Sequence, residues 1–180
     1  MKPQILYYGL EKEEETLLHS LGGDWTLVAP NEEDIQEKVG YLVGLDGFTR
    51  EDLPEIPLPE SPKILLFVNP NRDHLYQLLA KAKEKGYLFP YKAVMTDTTK
   101  NWQFSYLLNH IQEEHNMVQA YRKLGALVKI AREKCKEHPL DSLEKEIQRA
   151  KDLPKLGEDL TTEIVEECYT KIESLLKEIE

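Results

Sequence analysis

Two apolar runs, each leading through an amphipathic helical stretch into a further apolar run, set what this chain can fold into. The first is Ile5-Leu6-Tyr7-Tyr8-Gly9, followed by a helical pattern from Glu11 to Leu21 in which Leu17, Leu18 and Leu21 share a face. Gly22-Gly23 stops that helix, and Trp25-Thr26-Leu27-Val28-Ala29 reads as a strand. The second run is Ile64-Leu65-Leu66-Phe67-Val68, which Asn69-Pro70-Asn71 turns into a helix over 73–85 with Leu75, Leu78, Leu79 and Ala82 inward. Gly86 ends that helix, and Lys92 to Thr96 forms the next strand. Strand–helix–strand units favour parallel neighbours joined by right-handed crossovers. The spacing therefore predicts an α/β protein with a small, mostly parallel sheet of about four strands, near 4–9, 25–29, 64–68 and 92–96, covered by helices. A ferredoxin-like split order is the alternative topology. The two units begin about 59 residues apart, which suits a degenerate duplication and the recurrence of a common unit equally.

Between the units, Asn31-Glu32-Glu33-Asp34 has the form of a helix start with acidic residues in its first turn, and Ile35, Val39, Leu42 and Val43 give that helix an apolar side. Asp46-Gly47-Phe48 follows. Pro54, Pro57, Pro59 and Pro62 then fix φ and remove backbone donors, so this stretch is an extended connector.

From Asn101 onward the pattern is helical. It predicts a helix from Trp102 to about Cys135, with Phe104, Leu108, Ile111, His115, Val118, Leu124, Val128 and Ala131 near one face. Gly125 marks a bend or a close helix–helix contact. His138-Pro139 ends the helix, and Asp141-Ser142-Leu143-Glu144 resembles a capping box for a second one. Pro154 and Gly157 interrupt again before a third helix carrying Leu160, Ile164, Cys168, Ile172, Leu175 and Ile179. The expected division is an α/β domain over 1–115 and a helical tail over 116–180. Such a tail cannot bury its stripes alone, so it must pack on itself, on the sheet or on a second copy.

The 180 residues carry a net charge of −10, unevenly spread. Residues 1–60 hold 4 Lys/Arg against 14 Asp/Glu, whereas residues 61–110 hold 7 against 3. The acidic first third argues against a nucleic-acid binder, because phosphate affinity depends on neutralising Lys and Arg. No apolar run approaches the roughly 20 residues that span a bilayer, and the start of the chain lacks the apolar core of a secretory signal. Cys135 and Cys168 are too few and too far apart for a disulfide framework or a zinc ribbon, so the expected compartment is reducing, hence cytoplasmic.

Several chemistries fail on spacing. His110 and His115 are five residues apart and point roughly 140° from each other, at about 100° per residue, so they do not form the same-face pair of a zinc hydrolase. Ser142-Leu143-Glu144-Lys145 has the letters of an acyl-transfer motif but lies at a helix start and has no partner motif. No glycine-rich nucleotide fingerprint follows a strand. No metal or cofactor is expected. What remains is the corner after the fourth strand. There Lys92, Thr96, Asp97, Thr98 and Asn101, with Trp102, would form a small polar pocket beside a helix start, where α/β sheets usually hold ligands. The structural reading gives the same residues other work. Asn101 or Thr99 caps the long helix, Asp97 makes an Asx-turn, and Trp102 plugs the seam between sheet and helix.

The run Lys92-Ala93-Val94-Met95-Thr96-Asp97-Thr98-Thr99-Lys100-Asn101-Trp102, followed by Leu107-Leu108 and Glu113-Glu114-His115, resembles the bacterial DUF3783 family, a short domain of unknown function. The likeness covers about 61–115, with Asp97 where the block leads one to expect a proline. It implies a bacterial cytosolic protein and assigns no activity or catalytic residue.

The expectation is a non-enzymatic interaction or regulatory protein that self-associates, or meets a protein partner, through its C-terminal helices, without nucleic acid or membrane. The alternative is a small-molecule-binding domain or weak enzyme using the pocket at Thr96–Trp102.

Overall fold

The computed structural model describes residues 2–178. They fall into two compact units, one ending at Gln112 and the other beginning at Glu113.

The first unit is built on four strands, β1 (Gln4–Tyr8), β2 (Thr26–Val28), β3 (Ile64–Val68) and β4 (Lys92–Val94), in the order β2-β1-β3-β4. The pairs β1·β2 and β3·β4 are parallel, as strand–helix–strand units require, and β1 and β3 meet antiparallel with Leu6 opposite Leu66. The sheet is thus mixed and mostly parallel, and its order is not the ferredoxin-like one.

Helices cover both faces, which is why the central strands are apolar throughout and do not alternate. On one face α1 (Lys12–Leu21) and α3 (Arg72–Glu84) bring Leu17, Leu18, Leu78 and Ala82 onto Ile5, Tyr7, Leu65 and Phe67. Asn71 starts α3 by accepting from the N–H groups of Asp73 and His74 at 3.0 and 3.2 Å. On the other face α2 (Val39–Leu42) and the start of α4 (Phe104–Glu137) bury Val39, Val43, Phe104, Leu107, Leu108 and Ile111 against Leu6, Ile64, Leu66 and Val68.

Two helical expectations are corrected here. The stretch from Asn31 is not one helix. It makes a single 3-10 turn over Glu32–Asp34, and Lys38 then pairs with Gln103 in an antiparallel bridge before α2 begins. That pairing pulls the backbone out of helical geometry. The apolar positions of α4 also do not form one stripe: Phe104, Leu108 and Ile111 belong to the core of the first unit, and Ala120, Leu124 and Ala131 to that of the second. Val118, expected inward, is 43% exposed. The helix passes Gly125 without interruption, and a Cβ there would meet nothing within 4 Å, so no close helix contact is made.

The second unit packs the rest of α4 with α5 (Asp141–Asp152) and α6 (Thr162–Lys177) around Leu124, Ala131, Leu143, Ile147, Val165, Cys168 and Ile172. Asp141 is the first residue of α5, and the cap position is Leu140 without a side-chain cap, so the expected capping box is not formed. A 3-10 stretch over Leu153–Asp159, kinked at Gly157 with φ 57°, links α5 to α6, and Thr161 Oγ1 accepts from Ile164 N–H at 3.4 Å. Leu175 packs at the edge of this core, and Ile179 lies outside the described residues.

Candidate functional site

The corner after β4 is a tight turn whose polar groups bond to one another. Thr96 N–H donates to Thr99 Oγ1 at 2.8 Å, and Thr99 N–H returns a bond to Thr96 Oγ1 at 3.1 Å. Lys100 Nζ lies 2.8 Å from Asp97 Oδ1 and holds that carboxyl below the usual carboxylate range. Asn101 Nδ2 donates to the Asp97 carbonyl at 2.9 Å. Lys92 Nζ donates to the Phe89 carbonyl at 2.9 Å. Thr98 is exposed and makes no side-chain cap bond to the short 3-10 turn that follows it.

Neither Asn101 nor Thr99 caps α4, because the helix starts only at Phe104. Its leading N–H groups find main-chain partners in the first half of the unit. Phe104 N–H donates to Glu37 O at 2.9 Å and Ser105 N–H to Ile35 O at 3.0 Å. Two of the donors that a helix start offers to an anion are spent here. Trp102 sits half-buried at the seam. Its ring meets Tyr106 edge-on at 5.0 Å and His110 at 5.1 Å, and Tyr106 stacks on His110 at 6.2 Å. His110 therefore serves an aromatic cluster. Among the described residues no three His, Cys, Asp or Glu side chains gather as metal ligands.

The structure adds a polar network that the sequence did not signal. The proline-rich connector is extended, as expected, but it is fastened along its length to the α2–α4 seam. Glu37, only 5% exposed, accepts from Arg50 Nε and from the backbone N–H of Glu51, both at 3.1 Å. Gln36 makes a two-way amide pair with the backbone of Ile56, at 3.0 Å each way. Gln103 donates to Pro54 O and Asn109 to Pro57 O, both at 2.8 Å. Ser105, fully buried, donates to Gln36 Oε1 at 2.8 Å. Proline carbonyls remain good acceptors after the ring has removed the donor, so side-chain amides do the gripping. Ser105 and Asn109 are four apart on a side of α4 that also carries Gln112 and Asn116, so in the sequence they read as an ordinary polar face.

A second feature lies at the carboxyl end of β1. A cleft of about 590 Å³ is lined by Tyr8, Gly9, Glu11, Pro62, Lys63 and Tyr91. Lys63 Nζ is paired with Glu14 Oε2 at 2.8 Å, and the same oxygen accepts from Glu11 N–H at 2.8 Å. Burial and the charge of Glu32 push the Tyr8 phenol up. In the helical unit, a groove of about 690 Å³ runs between α4 and α6, lined by Glu113, Asn116, Lys123, Glu163, Glu166 and Tyr169.

This architecture defines the first unit as a small α/β module with a mixed four-stranded sheet. Residues 63–118, from the start of β3 into α4, match the family model described as Domain of unknown function (DUF3783), so this segment resembles that family. No curated protein and no solved structure matches the chain.

Proposed function

We propose that the chain is a non-enzymatic interaction protein that self-associates through its C-terminal helices. The observation that carries this reading is the set of large apolar side chains that the helical unit leaves in solvent. Val118 and Ile130 on α4 and Leu156 after α5 are 43%, 54% and 42% exposed. Exposed apolar side chains on these helices are available for a partner surface to bury. A groove of about 410 Å³ beside α5 and α6, lined by Ser142, Lys145, Glu146, Thr170, Ser174 and Leu175, offers further concave surface to a partner. The polar corner at Thr96–Trp102 supports the same reading, because its side chains bond mainly to each other and to neighbouring backbone. No helix among the described residues is long and apolar enough to cross a membrane. Both cysteines are free and buried, which supports a reducing compartment, and we place the chain in the bacterial cytoplasm.

The test is the solution mass of the full chain by native mass spectrometry and light scattering. A multiple of 20.9 kDa that falls to a single chain in Val118→Glu with Ile130→Glu supports the reading. A single-chain mass at every concentration sinks it. Retained extra mass that leaves on denaturation would point instead to a ligand.

A further inference from the structure

The antiparallel ladder of β1 and β3 has a local two-fold axis at the pair Leu6–Leu66. That axis relates each residue of the first half to the one 60 positions later. The relation holds well past the strands. Gly9, at φ 66°, falls on Asn69, whose φ of 47° makes it the non-glycine residue with positive φ among the described residues. Glu11, the cap position of α1, falls on Asn71, the cap of α3, and buried Leu18 falls on buried Leu78. Faces are kept as well: Ile5 and Tyr7 share one face of the sheet with Leu65 and Phe67, and Leu6 shares the other with Leu66. The 59-residue spacing of the strand letters would exchange the faces, because side chains alternate along a strand.

The second part of each half obeys the same axis with a shift of 65, the extra residues lying in the longer α3 and the loop after it. Val28 stands opposite Leu6 as Ala93 stands opposite Leu66. Lys38 then falls on Gln103, and these two residues face each other in the antiparallel bridge. Val39 N–H donates to Trp102 O at 2.9 Å, and its image under the axis is the bond from Phe104 N–H to Glu37 O, also 2.9 Å. Val39-Gly40-Tyr41-Leu42-Val43 falls on Phe104-Ser105-Tyr106-Leu107-Leu108, with Tyr and Leu retained and both ends buried. Recurrence of a common strand–helix–strand unit accounts for the first correspondence. It does not produce a second, reciprocal contact in the helix layer on the same axis.

We infer that residues 3–43 are a divergent second copy of the unit that the family model matches at 63–118, and that this unit carries a surface for pairing with its own kind. That surface is the inner edge of β3 together with the Trp102 carbonyl and the Phe104 N–H. All five residues of β3 are buried, so a unit standing alone would expose an apolar, unpaired strand edge. The partner the surface fits is another copy of the unit, and here the chain supplies it in cis. The inference is independent of the self-association proposed above, and it leaves that association to other surfaces.

The test is a full chain in which residues 3–43 are replaced by a second copy of 63–108. Cooperative unfolding, with slow amide exchange at Phe104 and at its duplicate, is expected. A chain without a cooperative transition overturns the self-pairing. The parent chain gives a second measurement that needs no graft. The amides of Val39 and Phe104 are expected to exchange within about threefold of each other through one shared opening. Exchange at Val39 about a hundredfold faster, with the first half opening alone, overturns the two-fold unit.

Discussion

Gly9 lies against the carbonyl of Pro62 so closely that any Cβ on it would overlap that oxygen, and its φ of 66° belongs to the left-handed region. Turn conformation and close approach act together at the point where β1 hands over to α1. Gly9→Ala is expected to destabilise the chain by more than about 2 kcal/mol, because it adds left-handed strain of about 1–2 kcal/mol to a clash with backbone. Urea unfolding measures it, and a loss under about 1 kcal/mol would show that the Pro62 turn moves aside.

Gly125 is the opposite case. It is exposed, lies inside α4 and has open space around it. Gly125→Ala is expected to raise stability by about 0.5–1 kcal/mol through helix propensity alone. A destabilising result in thermal melts would reveal a bend or contact at this point.

Glu37 is the buried anchor of the connector. Glu37→Ala removes the acceptor for Arg50 Nε and for Glu51 N–H. The expected cost is about 1–3 kcal/mol. Limited proteolysis is expected to cut within 49–60 faster in the variant, since the head of the connector is no longer held. Unchanged cleavage would mean that Gln36, Gln103 and Asn109 suffice.

Tyr7 gives the chain an alkaline limit. Its hydroxyl donates to Glu15 Oε1 at 2.8 Å, and burial, then that bond, push its pKa up to about 12 from 10. The folded chain keeps a proton that the unfolded chain releases above pH 10. The stabilisation is complete below pH 10 and is lost as pH rises through 12, a fall of about 2–3 kcal/mol. Chemical unfolding across that range measures it. Tyr7→Phe is expected to flatten the decline; an equally steep decline in the variant would assign the effect to other groups such as Tyr8 and Tyr121, whose phenols are also raised by burial.

The four strands, most of the helices and the parallel pairing within each strand–helix–strand unit were legible in the sequence, because each rests on local periodicity and on turn residues such as Asn71 and Gly86. The site was less legible. The polar character of the corner at Thr96–Trp102 is plain in the sequence, but the partners its residues take in the structure were not. Asn101 and Thr99 are good capping residues by type, but α4 begins beyond them and draws its caps from Ile35 and Glu37, far away in sequence. Similarly, the prolines of the connector announced extension and gave no sign of the amides of Gln36, Gln103 and Asn109 that hold it down.

By itself the sequence determined what depends on neighbours along the chain: four strands, their helices, an extended connector and a helical C-terminal region. Tertiary structure alone decided the antiparallel meeting of β1 and β3, the bridge between Lys38 and Gln103, and which of two cores each part of α4 joins. Each of these is a contact between segments tens of residues apart, or a response to two different cores. Hydrophobic periodicity records which side of an element is apolar, not which partner covers it.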